Sequence, residues 1–342
     1  MRDAMLERVR ARMREEDVEV LAVTEDMNVE YLFDIHPPGT DGFSGIVVVT
    51  QDDWRLYASK FFRYSLESIS NVSIYRDREE LQDLVADGPL EDGCHADDPD
   101  RFSELDLERS GIVQECRKVK QPAEVERMRR ASDTTSQVFD ELLDWFEPEV
   151  TEWDIVEQVD AGFRRRSLFN AFETLAHAST LEPHRLPRDA DIEEGETLLV
   201  DMGCRFKGYC SDMTRMVPNE LDGDRMELVE ALGDIQRRLL DRVEAGRQVS
   251  ALAGFAEDLV DEQGYSVDKH YLHSLGHGVG LSVHEPPALV PSSDATLEEG
   301  VVVTVEPGLY VPEVGGVRIE DQVVVREDGF ERLTTQKRIY ER

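Results

Sequence analysis

The sequence predicts an α+β protein in two parts, a small α/β domain over residues 1–116 and a larger α+β domain over residues 117–342. A chain of 342 residues is long for one compact domain and comfortable for two. Helical and strand periodicities alternate through the first part of the sequence. In the second part, long helices are interleaved with apolar runs that suit antiparallel strands.

In the first part, apolar residues recur at helical spacing over 4–16, and strand patterns follow at 18–24 and 45–50. Between these strands, the motif NVEYLF leads into a loop that contains the Pro-Pro-Gly sequence at 37–39. We find no catalytic motif here, so the first part is expected to be a compact α/β unit.

In the second part, Pro122 suits the first turn of a helix, where a missing N–H costs nothing. The capping-box pattern TEWD begins another helix at Thr151, which we expect to run to about Arg166. Ser250 is the predicted N-cap of a later helix. That helix is predicted over 250–263 and another over 222–246, and strands are predicted at 197–205, 208–217, 301–306 and 317–326.

Acidic residues greatly outnumber basic ones. Asp and Glu total 74 against 38 Lys and Arg, which gives a formal net charge of −36. The excess is spread along the chain, which indicates an acidic surface rather than an acidic tail. Self-repulsion of such a surface is relieved when salt shortens the Debye length, to about 3 Å at 1 M. We therefore expect a salt-adapted protein, with neither nucleic acid nor anionic membrane as a partner.

The four cysteines show no CxxC spacing, and the N-terminal segment is charged rather than apolar. Reduced, structural thiols are the expectation for such a chain. No apolar run approaches the length of a membrane span. These features predict a soluble, cytoplasmic protein.

The stretch LLVDMGCRFKGYCSDMTRMV, residues 198–217, places an aspartate in each of two apolar runs. With a two-residue turn at Phe206-Lys207, Asp201 would lie directly opposite Asp212, and like charges there destabilise a sheet. Glu306 and Glu320 also lie in or at the end of apolar strands. Burying four carboxylates costs several kcal/mol each unless cations compensate. Two divalent metal ions about 3.5 Å apart would provide that compensation.

Four histidines fall within KHYLHSLGHGVGLSVHEPP, residues 269–287. His273 and His277 have the i, i+4 spacing of the zinc helix HExxH. That interpretation fails because no Glu follows His273, and because glycines at 276, 278 and 280 oppose a helix. The cluster instead indicates an irregular, glycine-rich strand or loop near the carboxylates.

Together, the motifs LLVDMG, SDMTRM, HSLGHGVGLSVHE, VEPGLY and VRIED resemble, in this order, the pita-bread metallopeptidases, a group that includes aminopeptidase P, prolidase and methionine aminopeptidase. The resemblance implies a curved antiparallel sheet in the catalytic domain and two divalent ions, with Mn²⁺ expected and Co²⁺ or Zn²⁺ as alternatives. It implies that Asp201 binds one ion, that His277 and Glu306 bind the other, and that Asp212 and Glu320 bridge them. The further catalytic residues that it implies are His184, His273, His284 and Arg318.

Residues 1–116, with NVEYLF, resemble the N-terminal domain of creatinase and prolidase. Methionine aminopeptidases generally lack that domain, so the resemblance favours the proline-specific branch and a homodimer. Prolidases often carry an arginine just after the HE-x-P stretch, where it clamps the carboxylate of a dipeptide. This chain has Ala288 there, which favours longer peptides.

The expected function is hydrolysis of the Xaa-Pro bond, at the N-terminus of peptides with proline second or in dipeptides. Glu306 or another metal-bound carboxylate would move the proton of the attacking water. His273 or His284 would bind the carbonyl oxygen, and His184 would line the proline pocket. Two alternatives stay open: a hydrolase or lyase with a non-peptide substrate at the same two-metal site, and a non-catalytic binding module.

Overall fold

The computed structural model describes residues 2–35, 45–102, 104–221 and 223–336. The chain divides into two compact units, Met1–Arg117 and Lys118–Arg342. The loop predicted at 37–39 lies outside the described residues. Among the helices of the described ranges, none is both long and apolar enough to cross a membrane.

The first unit is built on a six-stranded mixed sheet, in the order β4-β3-β2-β1-β5-β6. The central strand β1 pairs antiparallel with β2 and parallel with β5, and alternate apolar side chains of the sheet pack under the helices. The elements of this part are α1 (Arg2–Glu15), β1 (Val20–Val23), α2 (Asp26–Phe33), β2 (Gly45–Thr50), β3 (Trp54–Ser59), β4 (Val72–Tyr75), α3 (Arg78–Ala86), β5 (His95–Ala96), β6 (Glu108–Arg109) and α4 (Ile112–Lys118).

The second unit interleaves long helices with short antiparallel strands, as the sequence predicts. Its elements are α5 (Pro122–Trp145), α6 (Glu152–Arg165), β7 (Phe169–Asn170), β8 (Leu175–Ala178), β9 (Leu198–Met202), β10 (Cys204–Phe206), β11 (Tyr209–Cys210), β12 (Met213–Val217), α7 (Gly223–Leu240), α8 (Val249–Glu262), α9 (Val267–His270), β13 (Gly276–Gly278), β14 (Glu285–Leu289), β15 (Val302–Val305), β16 (Gly308–Val311), β17 (Gly315–Arg318), β18 (Asp321–Arg326) and β19 (Gly329–Arg332). The α+β class is therefore confirmed.

Two hydrophobic cores hold the strands of this unit against the helices. Helices α5 and α6 pack on β8, β9 and β12, which form one three-stranded sheet. Helices α7 and α8 pack on strands of the five-stranded sheet β14-β13-β15-β18-β19. In β9, Leu198, Val200 and Met202 pack into the first core, so Asp201 lies on the opposite face of the strand, together with Leu199 of the second core.

Two of the three predicted helix starts are confirmed. Pro122 is the first residue of α5, and Thr151 caps α6 through a reciprocal capping box with Asp154. The prediction of Ser250 as an N-cap is wrong. Helix α8 already begins at Val249, and Gln248 occupies the cap position without a side-chain hydrogen bond.

The predicted register of the hairpin at 198–217 is also wrong. The turn residues are Lys207 and Gly208, with φ of 48° and 84°, and Asp201 pairs with Thr214. A two-residue hairpin turn of this kind needs positive φ at both positions, which the Lys-Gly pair satisfies better than Phe-Lys. The pairing shifts by two residues, so Asp201 and Asp212 still share a face but are diagonal neighbours, roughly 7–8 Å apart at their Cα atoms.

The strand predicted at 317–326 is interrupted. Strand β17 ends at Arg318 and β18 begins at Asp321, so Glu320 lies in the break between them. Glu306 directly follows β15, whose last pair with β18 joins Val305 and Asp321. Glu306 and Glu320 therefore lie next to the same end of the β15–β18 ladder, and neither residue is part of a strand.

The turn makes a testable prediction. Gly208→Ala should lower the free energy of unfolding by about 1–2 kcal/mol, because a Cβ disfavours positive φ. The matched control is Gly254→Ala within α8, where a new Cβ meets no atom within 4 Å. That change should raise the stability by up to about 1 kcal/mol. Denaturant unfolding in molar KCl measures both, and equal effects of the two changes would contradict the assigned turn.

Candidate metal centre

Three segments of the second unit bring polar side chains to one place. One ligand atom each of Asp212, His277 and Glu320 lies within 4.8 Å of the other two. Asp212 comes from the gap between β11 and β12, His277 from β13, and Glu320 from the break after β17. Segments that are distant in sequence thus place two carboxylates and an imidazole close enough together to bind one metal ion.

The position of His277 is fixed by its own strand. Its backbone N–H donates to Thr304 Oγ1 at 3.0 Å, and its Nδ1 donates to the carbonyl of Gly278 at 3.1 Å. The other ring nitrogen, Nε2, therefore points inward, 3.3 Å from Glu306 Oε1 and 3.6 Å from Asp212 Oδ2. Glycine is needed at 278, since a Cβ there would lie 2.3 Å from the carbonyl oxygen of Pro286. This is the arrangement of a histidine whose Nε2 is free to bind a metal.

Two threonines orient two of the carboxylates. Thr304 Oγ1 donates to Glu306 Oε1 at 3.2 Å, and Thr214 Oγ1 donates to Glu320 Oε2 at 2.9 Å. Each of these carboxylates keeps a second oxygen for another ligand. Hydrogen bonds of this kind hold ligating carboxylates in a fixed orientation.

Arg318 is buried at the same site, with 1% exposure. Its Nη2 donates to Asp201 Oδ2 at 2.6 Å, its Nε to Thr214 Oγ1 at 3.1 Å and its Nη1 to Tyr310 OH at 3.1 Å. Asp201 Oδ1 is buried and, among the residues that the structure describes, has no hydrogen-bond partner. A buried carboxylate oxygen without a partner is costly, which marks a position for a cation.

The charges of the site do not balance without metal. Burial raises the pKa of Asp212 and of Glu320 well above the ordinary range, and the neighbouring carboxylates raise both further. Burial also raises the pKa of Asp201, although Arg318 works in the opposite direction. Burial, proximity and the unpartnered oxygen all favour divalent cations among these oxygens. The donor set of four carboxylates and one imidazole therefore fits two such ions.

His277 and Glu306 form a charge pair. Burial lowers the pKa of His277, but the hydrogen bond to Glu306 and the charge of Asp212 outweigh burial and raise it to about 9. Burial raises the pKa of Glu306, and the hydrogen bond from His277 more than reverses that effect. A metal that binds Nε2 must displace this proton.

His273 has a different environment from the one expected of an oxyanion donor. Its Nδ1 donates to the carbonyl of Ser274 at 2.9 Å, and its Nε2 lies 3.3 Å from Tyr310 OH. Burial lowers its pKa to about 4, so the ring is neutral and its Nε2 accepts the hydroxyl proton. In this state His273 orients Tyr310, which in turn accepts from Arg318.

His284 and His184 both have exposed side chains. The ring of His284 is exposed, and its centroid lies 4.1 Å from that of His277. His184 is exposed on the loop after β8. The carbonyl of the preceding residue, Pro183, accepts from Arg318 Nη1 at 3.2 Å, and Arg318 also donates to Asp201. The loop that carries His184 therefore reaches the same site.

Tyr310, Thr214 and Thr304 were missed by the sequence analysis. The two threonines could have been found, because each lies two residues from a predicted ligand, Thr214 after Asp212 and Thr304 before Glu306. Residues i and i+2 of a strand share a face. Tyr310 gives no comparable signal, since its partners come from the segment before β13 and from β17.

The sequence and the fold were compared with those of known proteins. The model of metallopeptidase family M24 matches residues 126–327. The chain is 28% identical to the Xaa-Pro dipeptidase of Pyrococcus furiosus, over 97% of this chain and 98% of that protein. It is also similar to the solved structures of an Xaa-Pro dipeptidase from Bacillus anthracis (TM-score 0.88, 25% identity, 99% of each chain) and an X-Pro aminopeptidase from Thermotoga maritima (TM-score 0.85, 25% identity, 97% of this chain and 98% of that one). The predicted pita-bread fold is thereby confirmed.

The electrostatics of the site predict that two substitutions shift the melting temperature in opposite directions with and without bound metal. In metal-free protein, Asp212→Asn and Glu320→Gln should each raise the melting temperature, because they remove one of several mutually repelling buried carboxylates. In Mn²⁺-loaded protein the same changes should lower it, because metal that binds only the native state stabilises it, by about 2.7 kcal/mol at 100 times Kd. Thermal unfolding with EDTA and with Mn²⁺ measures both.

The matched control is Glu124→Gln. Glu124 is a buried carboxylate of the same unit that accepts from Tyr209 OH and from the N–H of Gln121. Its replacement should lower the melting temperature by a similar amount with and without metal. A loss of stability for Asp212→Asn in both states would contradict the interpretation of the site as a destabilising carboxylate cluster that metal neutralises.

Proposed function

This chain belongs to metallopeptidase family M24, and we propose from that premise how its site carries out the reaction and which peptides it takes. It is a metal-dependent Xaa-Pro peptidase. The observation that supports the chemistry most directly is the cluster of Asp212, His277 and Glu320, with Asp201 and Glu306 beside it. A catalytic role is favoured over a binding module because the cluster is joined to histidines on its exposed side.

In our proposal, all five predicted ligands hold two divalent ions. Asp201 would contribute its unpartnered oxygen, His277 its Nε2, and Asp212, Glu306 and Glu320 their carboxylates. When bound, the ions lower the pKa of water and polarise the substrate carbonyl. Four carboxylates with a single imidazole favour Mn²⁺, with Co²⁺ or Zn²⁺ as alternatives.

The protein's own residues supply the proton and the hydrogen bonds. Glu306, held by Thr304, is placed to take a proton from the attacking water and to return it to the leaving proline nitrogen. His284, which is exposed beside His277, donates to the carbonyl oxygen as negative charge develops there. Such a donor contributes about 3 kcal/mol in comparable sites. His273 acts through Tyr310 on Arg318 rather than on the substrate.

For the substrate, we propose peptides with proline at the second position, including peptides longer than two residues. Ala288 is exposed in β14 and pairs directly with His277. Directly opposite residues project to the same face, so position 288 borders the site with a methyl group and no charge. A dipeptide's carboxylate therefore finds no cation at this position. The relatives include both an Xaa-Pro dipeptidase and an X-Pro aminopeptidase, so both activities are tested below.

We further propose the setting in which the chain works. The net charge of −36 supports a halophilic origin and a salt-rich cytoplasm, because molar salt screens such a surface. The free thiols of all four cysteines suit a reducing compartment. Residues 1–116 would form a creatinase/prolidase-like N-terminal domain and residues 117–342 the catalytic domain of a homodimer.

The reaction is tested by the release of proline from Ala-Pro and of alanine from Ala-Pro-Gly, in molar KCl with Mn²⁺ and with EDTA. We expect Mn²⁺-dependent cleavage of both peptides, with the tripeptide preferred, and loss of both activities in EDTA. The control substrates Ala-Ala and Ala-Ala-Gly should be poor. Two bound metal ions per chain without cleavage of either proline peptide would refute the proposed activity.

The role of position 288 is tested by Ala288→Arg. An arginine opposite His277 should lower KM for Ala-Pro at least several-fold, because it can pair with the dipeptide's carboxylate. It should improve Ala-Pro-Gly much less, since that carboxylate lies one residue further away. Ala288→Met is the matched control, with similar length and no charge. Equal effects of Arg and Met on the dipeptide would contradict the argument from charge.

A further inference from the structure

A buried glutamate binds both ends of the loop that carries His184. Glu152, the first residue of α6, has 1% exposure. Its Oε1 accepts the backbone N–H of Ala178 at 2.7 Å, and its Oε2 accepts the backbone N–H of Arg188 at 2.6 Å. Ala178 is the last residue of β8, so one carboxylate binds both ends of the segment 178–188, which we call the 178–188 loop.

The middle of the loop is bound to the same carboxylate. Arg185 donates from Nη1 to Glu152 Oε2 and from Nη2 to Oε1, both at 2.6 Å. This two-point geometry is the strong and directional form of an arginine–carboxylate pair. The backbone carbonyl of Arg185 also lies 2.7 Å from His177 Nε2, and Arg188 Nη2 donates to the carbonyl of Ala178 at 2.7 Å. The loop therefore closes on Glu152 at three of its residues.

Glu152 is charged in this environment. Burial acts to raise its pKa, but the hydrogen bonds from Arg185 and from the backbone N–H groups of Ala178 and Arg188 outweigh burial and lower it. A buried carboxylate with this many donors is rigidly held, and removing its charge leaves several buried donors without an acceptor.

The tip of the loop, at Pro183, contacts a residue of the metal centre. The carbonyl of Pro183 accepts from Arg318 Nη1 at 3.2 Å, and Arg318 also holds Asp201. The next residue is His184, whose side chain is exposed. The loop is thus fixed at its base by Glu152 and at its tip by Arg318, and His184 lies directly beside the second of these attachments.

We propose that Glu152 is a positioning residue for the peptidase reaction, which acts by holding the 178–188 loop so that His184 meets the substrate. This inference rests on the proposed function. Glu152 touches neither substrate nor metal, and its effect passes through the loop. Misplacement of a contacting group by about 1 Å costs roughly 100-fold in rate, and loss of an outer partner typically costs 10–100-fold.

The first test is Glu152→Gln. The amide has nearly the same shape, but its NH₂ group would face N–H donors that now meet a carboxylate oxygen. We expect kcat/KM for Ala-Pro-Gly to fall by about 10–100-fold, with two metal ions still bound per chain. The matched control is Glu141→Gln. Glu141 also pairs with two arginines, Arg165 and Arg166, on the exposed side of the same unit, and its loss should leave kcat/KM within about twofold.

The second test asks whether Glu152 acts through His184. If it does, Glu152→Gln should have little further effect on kcat/KM once His184→Ala is present, because the residue being positioned is gone. Full additivity of the two changes would overturn the proposed route. Should Glu152→Gln not fold, Arg185→Lys removes the two-point pair and leaves Glu152 and its backbone hydrogen bonds in place.

A third measurement does not depend on activity. Amide hydrogen exchange at Ala178 and Arg188 should speed up in Glu152→Gln and stay unchanged in Glu141→Gln, and unchanged exchange in both variants would overturn the inference. A wild-type protein that cleaves no Xaa-Pro peptide would overturn the proposed function, and the positioning role with it. An active wild-type enzyme with an equally active Glu152→Gln variant would overturn the positioning role alone.

Discussion

The catalytic unit depends on one electrostatic constraint, the crowding of carboxylates among apolar strands. Asp201, Asp212 and Glu320 are each less than a tenth exposed, and burial works against the charged form of every one. Arg318 binds one of the carboxylates directly. The strand pairs β9–β12 and β15–β18 hold the ends of the strands that carry these carboxylates. Without a cation, the buried negative charge lowers the stability of the fold, whereas a bound divalent cation would be attracted by the same charge. Stability and function are therefore linked through the same side chains.

The supporting residues follow from that constraint. Threonines at strand positions two residues from Asp212 and Glu306 keep carboxylate oxygens in fixed directions. The chain Arg318–Tyr310–His273 connects β17, β16 and the approach to β13, so the guanidinium that holds Asp201 is itself oriented. The 178–188 loop adds a further layer, since Glu152 binds both of its ends and Arg318 binds its tip at Pro183. Each contact restricts the orientation of a side chain that must bind either a cation or a peptide. Such contacts maintain the geometry of the site.

Much of the fold and of the site could be predicted from the sequence. Pro122 and the TEWD box locate helix starts because capping is a local matter of a few residues. Carboxylates inside apolar runs can also be recognised in the sequence, because that signal likewise involves only a few neighbouring residues. The register of the hairpin was missed because Lys207-Gly208 and Phe206-Lys207 differ in backbone conformation, which the apolar pattern does not report. The contact of His273 with Tyr310 could not be predicted, because it joins residues 37 positions apart. Glu152 gave no signal, since its partners lie 26–36 residues away.

The measurement that tests the central claim most directly is a crystal structure of the Mn²⁺-loaded protein with anomalous diffraction data. The account predicts two manganese peaks about 3.5 Å apart. Asp212 and Glu320 should each contact both ions, Asp201 should bind one, and His277 with Glu306 should bind the other. A single ion, or two ions bound elsewhere, would contradict it, because the buried carboxylates would then need another explanation.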